Sequence, residues 1–423
     1  MKICYLIPGC GVSGGIAVVC QHANRLKERG HEVYLVADGE AGDMGWFPEQ
    51  NVPVLPLRDY PDDVDIVVAT AWSTAFRTPL LPARRHFYFV QSDETRFHPE
   101  GSAWQHITRL SYTVDFHYLT EARWIRTWLL DNFGHRAALV PNGLDERIFF
   151  PCEPLQAKGK RPRILLEGAI GLPYKGMREA FLAVQDLDAE IWCVSSYGKP
   201  EAGWRCDRFF ESVPMEEMRR IYSSCDVLLK LSRVEGFFGP PMEMMACGGA
   251  VVVGRVTGYD EYIVDGENAL VVDAFDIDGA REAVRRLLTE DALRARLVAN
   301  GKETAARWSW PPSIDALEKR FAEVLGDDEA AMTEGQQKSA QSAAFFYRQL
   351  RGEPCSPVTA ANEENVGAPA AAPAEATFPQ FSITPADRLI GRLQRQRWFH
   401  LLAGMLYSIY RLQGRIRGRT GSA

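Results

Sequence analysis

No apolar run in this sequence approaches the roughly 18 residues of a membrane span. The opening Met1-Lys2-Ile3-Cys4-Tyr5-Leu6-Ile7-Pro8 has too short an apolar core for a signal peptide and reads as a buried first strand. No two of the nine cysteines form C-x-x-C, and the number is odd. Cys4, Cys193 and Cys225 sit inside apolar runs, which favours reduced, buried thiols over a disulfide framework or a zinc site. No His-Glu or Cys cluster has metal-ligand spacing, so the expected chemistry is metal-free. An excess of positive charge is missing as well. The net charge of −7, from 48 Lys+Arg against 55 Asp+Glu, disfavours a whole-chain nucleic-acid binder. The expected compartment is the cytoplasm.

What is present is an ordinary globular composition, 46% hydrophobic and 24% charged, over 423 residues, enough for two or three domains. Residues 1–150 alternate strand-like runs (Ile3 to Ile7, Glu32 to Ala37, Val64 to Ala69, His86 to Val90, Phe116 to Leu119, Ala138 to Val140) with helical patterns such as Ile16 to Arg29. The same alternation restarts after a connector at Pro151 to Arg163 and runs to residue 326. Its strand-like runs are Ile164 to Leu166, Glu190 to Val194, Val227 to Leu231, Ala250 to Val253 and Ala269 to Val272. Alternation of this kind predicts parallel, doubly wound sheets. Two such units make a cleft, with ligands expected beyond the carboxyl ends of the strands. The last helix of the second unit, Pro311 to Leu325, is expected to close it or to return to the first. Residues 327–383 read as a linker, helical up to Arg351 and disordered through the Ala-, Pro- and Glu-rich stretch from Glu353. Residues 384–423 read as a basic amphipathic tail. From Pro385 onward there are eight Arg and one Asp, a net +7, and Trp398, Leu402, Met405, Ile409, Leu412 and Ile416 form one helical stripe. Such a tail suits an anionic membrane surface, here the inner face of the cytoplasmic membrane, and equally a coiled-coil partner.

Gly9-Cys10-Gly11-Val12-Ser13-Gly14 fits the G-x-G-x-x-G fingerprint after the first strand. The long helical pattern behind it instead favours a glycine-rich turn. Its amides, with the helix start at Gly14-Gly15, face the cleft and suit a phosphate. Gly11 to Gly15 also matches G-x-S-x-G, but a nucleophile elbow does not belong on a first strand. His22, His31 and His117 lie in helix or strand patterns and read as structural. Gln91, Asp93 and Glu94 follow a strand in the first unit, a position that faces the cleft.

The most specific stretch is Glu235-Gly236-Phe237-Phe238-Gly239-Pro240-Pro241-Met242-Glu243. Glycines let the chain turn after a strand, and Pro240-Pro241 fit a first helical turn. Glu235 is then on the loop and Glu243 in that first turn, both toward one cleft. A carboxylate there is suited to a vicinal diol such as a ribose. The run resembles the E-x7-E signature of retaining GT-B glycosyltransferases, especially glycosyltransferase family 4. Thr257 to Val272, Val140-Pro141-Asn142-Gly143-Leu144-Asp145, Pro173-Tyr174-Lys175-Gly176 and Arg29 to Val33 are similar to further segments of that family, in the same order. Rhamnosyltransferase-like members of surface-polysaccharide assembly are similar around Gln91, which makes Gln91, Asp93 and Glu94 candidate contacts to an acceptor or transferred sugar.

The resemblance implies a GT-B fold with the donor site on the second unit. It implies retaining transfer of a hexose from a nucleotide-diphosphate sugar to a glycan or lipid-linked acceptor, without cofactor or metal. By the same resemblance Glu243 would bind the donor ribose, Glu235 would lie by the donor sugar and Lys175 would neutralise the diphosphate. Backbone at Gly14, Gly15, Gly239 and Gly258 would complete the donor contacts. One departure stands out. The family often has an Arg after the Gly at the strand end, whereas this chain reads Leu166-Glu167-Gly168-Ala169-Ile170. Arg233 and Arg178 are the sequence candidates for the missing cation. A nucleotide-sugar epimerase on the same fold, or a catalytically degenerate nucleotide-sugar-binding scaffold, are the alternative readings.

Overall fold

A computed structural model describes residues 1–47, 50–327 and 334–351. The basic tail at 384–423 and the stretch from Glu353 lie outside the described residues. Two all-parallel sheets organise the chain. The first joins β1 (Lys2–Ile7), β2 (Glu32–Ala37), β3 (Val54–Pro56), β4 (Ile66–Ala69), β5 (Arg85–Val90), β6 (His117–Thr120) and β7 (Ala138–Leu139), in the order β3-β2-β1-β4-β5-β6-β7. The second joins β8 (Arg163–Glu167), β9 (Glu190–Ser195), β10 (Arg208–Glu211), β11 (Val227–Lys230), β12 (Ala250–Gly254) and β13 (Leu270–Val272), in the order β10-β9-β8-β11-β12-β13. The sequence pattern misses β3 and β10. Both are short outermost strands with few apolar residues to betray them.

The burial of both faces follows from strand geometry, in which successive side chains point to opposite sides. Along β1, Ile3, Tyr5 and Ile7 enter one core and Cys4 and Leu6 the other. The second sheet divides the same way: Leu165, Leu228 and Val251 face one helical layer, and Ile164, Leu166, Leu229 and Val252 the opposite one. This is the doubly wound, two-domain GT-B architecture.

Two helices after the second sheet return to the first domain. The helix Trp310–Gly326 inserts Trp310, Ile314, Leu317, Phe321 and Val324 into the core with Ile3, Val68 and Phe87. The interval 327–383 is not linker throughout: Glu334–Arg351 is a helix whose Ala340, Ala344 and Tyr347 are buried on the first domain. Tyr347 stacks on Phe76 and meets the edge of Trp72. An apolar stripe of three residues is too sparse to distinguish such a helix from a polar connector by pattern alone. The chain crosses between the domains twice, side by side. Leu144 bridges Ser309, and its N–H donates to the Trp308 carbonyl at 3.0 Å.

Candidate functional site

Strands β8 and β11 are hydrogen-bonded neighbours, so the loops leaving their carboxyl ends are brought together. The loop after β8 carries Lys175 and the loop after β11 carries Glu235. The Lys175 ammonium donates to both Glu235 carboxylate oxygens, at 2.9 and 3.0 Å. Burial by itself would raise the Glu235 carboxyl, but the charges of Lys175 and Lys230 outweigh it and hold it below its ordinary value. Glu235 is therefore an anchored carboxylate.

Glu243 stands one turn deeper than the sequence pattern places it. The helix Gly239–Ala246 begins at Gly239, with the two prolines in its first turn, so Glu243 is its fifth residue. Its carboxylate nevertheless folds back: a Cβ placed on Gly239 would lie 3.6 Å from Glu243 Oε1. Tyr222 donates its hydroxyl to the other oxygen at 2.9 Å. Burial, with Glu167 nearby, pushes Glu243 up to about 7 against the hydrogen bond from Tyr222. Oε1 accepts no hydrogen bond among the described residues.

A residue not singled out in the sequence belongs here. Lys230, at the end of β11, is 2% exposed and donates to Glu167 through both carboxylate and carbonyl; its ammonium lies 3.9 Å from Glu235 Oε1. The signal was available, because a lysine interrupts the run Val227 to Leu231. The two arginines named as candidates for the missing cation are placed otherwise. Arg233 pairs with Glu179 at 2.6 Å and lies over the Phe275 ring at 4.0 Å, and Arg178 is exposed.

The opposite wall comes from the first domain. The helix Gly14–Glu28 starts with open space at Gly14, and Gly15 lies against the Gln91 side chain, whose Oε1 is buried without a partner. Asp93 and Glu94 are engaged inside their own domain. Asp93 accepts from the Thr95 N–H at 3.2 Å. Glu94 accepts from the Trp72 N–H at 2.7 Å and the Tyr88 hydroxyl at 3.0 Å, and burial pushes it up to about 7. Of these three, Gln91 is the one that meets Gly15. His22 is buried beside Tyr5, Phe89 and Trp310, and desolvation lowers its pKa to about 3.

Glu121, which follows β6, joins the two walls. It accepts the Phe237 N–H across the cleft at 2.8 Å and the Asn142 side-chain amide at 2.7 Å, and burial pushes it up to about 8. Trp124 donates its indole N–H to the Gly236 carbonyl at 2.9 Å, and Arg123 pairs with Glu261 at 2.9 Å. The domains meet so closely that a Cβ on Gly236 would lie 1.7 Å from the Gln91 carbonyl oxygen. Gly258, at φ +80°, abuts the Trp124 indole, where a Cβ would approach to 2.2 Å. Among the described residues no three His, Cys, Asp or Glu side chains are grouped to hold a metal ion, and no helix is long and apolar enough to cross a membrane.

Comparison with known proteins converges on the same region. Residues 208–304 match the family described as Glycosyl transferases group 1, a span that includes Glu235, Gly239, Glu243 and Gly258 but not Lys175. The O-antigen biosynthesis protein RfbC of Myxococcus xanthus is 26% identical over 274 residues, which is 61% of this chain and 21% of that protein. The chain thus spans about a fifth of RfbC, and less than two thirds of other curated relatives it matches. Among solved structures, sucrose-phosphate synthase of Thermosynechococcus elongatus aligns with a TM-score of 0.64 at 15% identity, over 77% of this chain and 99% of its own. Anabaena HepE in complex with UDP-glucose aligns with a TM-score of 0.63 at 14% identity, over the same shares. These structures share the GT-B fold with this chain.

Proposed function

We propose that the chain is a retaining glycosyltransferase that moves a hexose from a nucleoside-diphosphate sugar to a glycan or lipid-linked acceptor in surface-polysaccharide synthesis. The observation that carries this reading is the Lys175–Glu235 pair at the ends of two adjacent strands, with Glu243 on the helix that follows and Lys230 acting on both glutamates. The group 1 match over the Glu-bearing loop and helix supports it. So do the fold shared with HepE, which was solved with UDP-glucose, and the similarity to an O-antigen biosynthesis protein.

In this reading Glu243 accepts the two ribose hydroxyls, its partner-free Oε1 taking one and Oε2 the other beside Tyr222. Lys175 lies where the leaving diphosphate gains negative charge as the glycosidic bond breaks, so its ammonium acts by electrostatic stabilisation. The open N–H groups at Gly14-Gly15 add a helix N-terminus to the same charge. Glu235, ionised and bound through both oxygens, supports positive charge developing on the sugar. No covalent role is assigned to Glu235; the acceptor hydroxyl attacks from the face the diphosphate leaves and passes its proton to the departing phosphate oxygen. No metal is assigned, since the phosphate charge falls to the lysines and the helix start. The basic segment 384–423 is assigned to an anionic membrane face, which would bring the cleft to a lipid-linked acceptor.

The test is turnover of a panel of nucleoside-diphosphate hexoses, with and without candidate acceptors, followed by NMR of the sugar. One donor should release its nucleoside diphosphate with the anomeric configuration of the transferred sugar retained. Inverted product, or conversion of the donor to an epimer with no diphosphate release, would overturn the reading.

A further inference from the structure

We propose that Lys230 is a second cation on the donor diphosphate, filling the place left by the missing arginine behind Gly168. The inference rests on the donor-site reading above. Its observation is that two ammonium groups flank one carboxylate from two different strand ends. Lys175 Nζ lies 2.9 Å and Lys230 Nζ 3.9 Å from the same oxygen, Glu235 Oε1.

The Lys230 ammonium adds one link between the carboxyl ends of β8 and β11, through Glu167, beyond the backbone pairing. Strands β8 and β11 are already paired in register from Val227↔Ile164 to Leu229↔Leu166, and the next residues, Leu231 and Ser232, are buried. Taking an ammonium out of water costs several kcal/mol, and a buried pair recovers this only with excellent geometry. An apolar residue would serve packing at least as well. The charge is explained if a ligand uses it. Two of its protons are held by Glu167, through carboxylate and carbonyl. Among the described residues the third has no acceptor within hydrogen-bond distance, and Glu235 stands at 3.9 Å.

Glu167 and Glu235 pair with the two ammonium groups, and Glu243 feels the charges of Glu167 and Lys230. An entering diphosphate takes over the ammonium bonds that Glu167 and Glu235 now hold. Glu167 is thus a positioning residue, keeping Lys230 extended toward the strand ends, and also a competitor for its charge. Arg233 pairs with Glu179 and lies over Phe275, and Arg178 is exposed.

The test is calorimetry on the full chain with the nucleoside diphosphate that the wild type binds best and with the corresponding nucleoside. Lys230→Met should weaken the diphosphate about tenfold, the worth of a charge-assisted hydrogen bond, while nucleoside affinity stays within about threefold. Glu167→Gln should tighten the diphosphate about twofold or more, since it removes the competing anion. Equal losses for both ligands, or no loss, in Lys230→Met would overturn the inference. Should that variant not fold, Glu167→Gln decides alone, and unchanged or weaker diphosphate binding overturns it. A folded wild type that binds no nucleoside diphosphate instead overturns the donor-site reading on which the inference rests.

Discussion

Lys175 sits on the loop after β8 and Glu243 on the helix that follows β11, and their removal should have different signatures. The lysine's charge matters most when the leaving diphosphate becomes more negative, so Lys175→Ala is expected to lower kcat more than it weakens donor binding. Steady-state kinetics with one donor and acceptor check this; kcat within about threefold of wild type would assign the role to another cation. Glu243 carries a pH signature. Burial raises it to about 7, and it must be ionised to accept two hydroxyls. Binding below that pH has to expel a proton, so nucleotide affinity should fall as pH drops from 8 to 6 and level off above 8. Glu243→Gln, which has no such proton, should bind weakly and show that step no longer. Calorimetry across this range would detect the difference, and parallel pH profiles in the two proteins would remove Glu243 from the diol. Both residues are legible in the sequence because each follows a strand end among glycines and prolines. Lys230 shows only as a lysine interrupting an apolar run, and Glu121 is hidden because its partner Phe237 lies 116 residues along the chain.

The element that most clearly departs from a local reading is the helix Trp310–Gly326. It follows the second sheet in sequence but completes the first domain's core through Phe321, which meets Phe87 at a ring separation of 4.9 Å. Phe321→Ala should therefore cost about 3–5 kcal/mol, and the first domain should lose stability although the change lies over 150 residues downstream of its last strand. Hydrogen exchange on β1 and β5 measures this; loss of protection confined to the second sheet would contradict it. The periodicity of that helix is visible in sequence, but which sheet it covers is set by the double crossing at Leu144 and Ser309, a contact between distant segments. A second element, the loop Glu235–Phe238, fixes how closely the domains meet. Gly236→Ala should hold the cleft ajar, because its Cβ has no room beside the Gln91 carbonyl. Small-angle scattering should give a larger radius of gyration than wild type, and kcat should drop with nucleotide affinity retained. Unchanged scattering and kcat would mean that the close approach is not part of the working cycle.

At the scale of the whole molecule, the parallel alternation of strands and helices makes both sheets readable from sequence, and the order of motifs along residues 1 to about 325 makes the pairing of the domains readable too. The helix Glu334–Arg351 changes how the tail is to be tested, since its buried Ala340 and Tyr347 make it part of the first domain. A chain ending at Arg351 should fold and stay down in vesicle flotation, whereas the full chain rises with anionic liposomes and less so at high salt. Equal flotation of the two would discard the membrane role of 384–423. The central claim is that the carboxyl ends of β8 and β11 hold a nucleoside-diphosphate sugar. Isothermal calorimetry of the full chain against a panel of such sugars, repeated with Glu243→Ala, tests it most directly. One member should bind the wild type, and the substitution should cost about 2–3 kcal/mol with folding intact. A folded wild type that binds none of them, or a Glu243→Ala protein that binds as tightly, would contradict it.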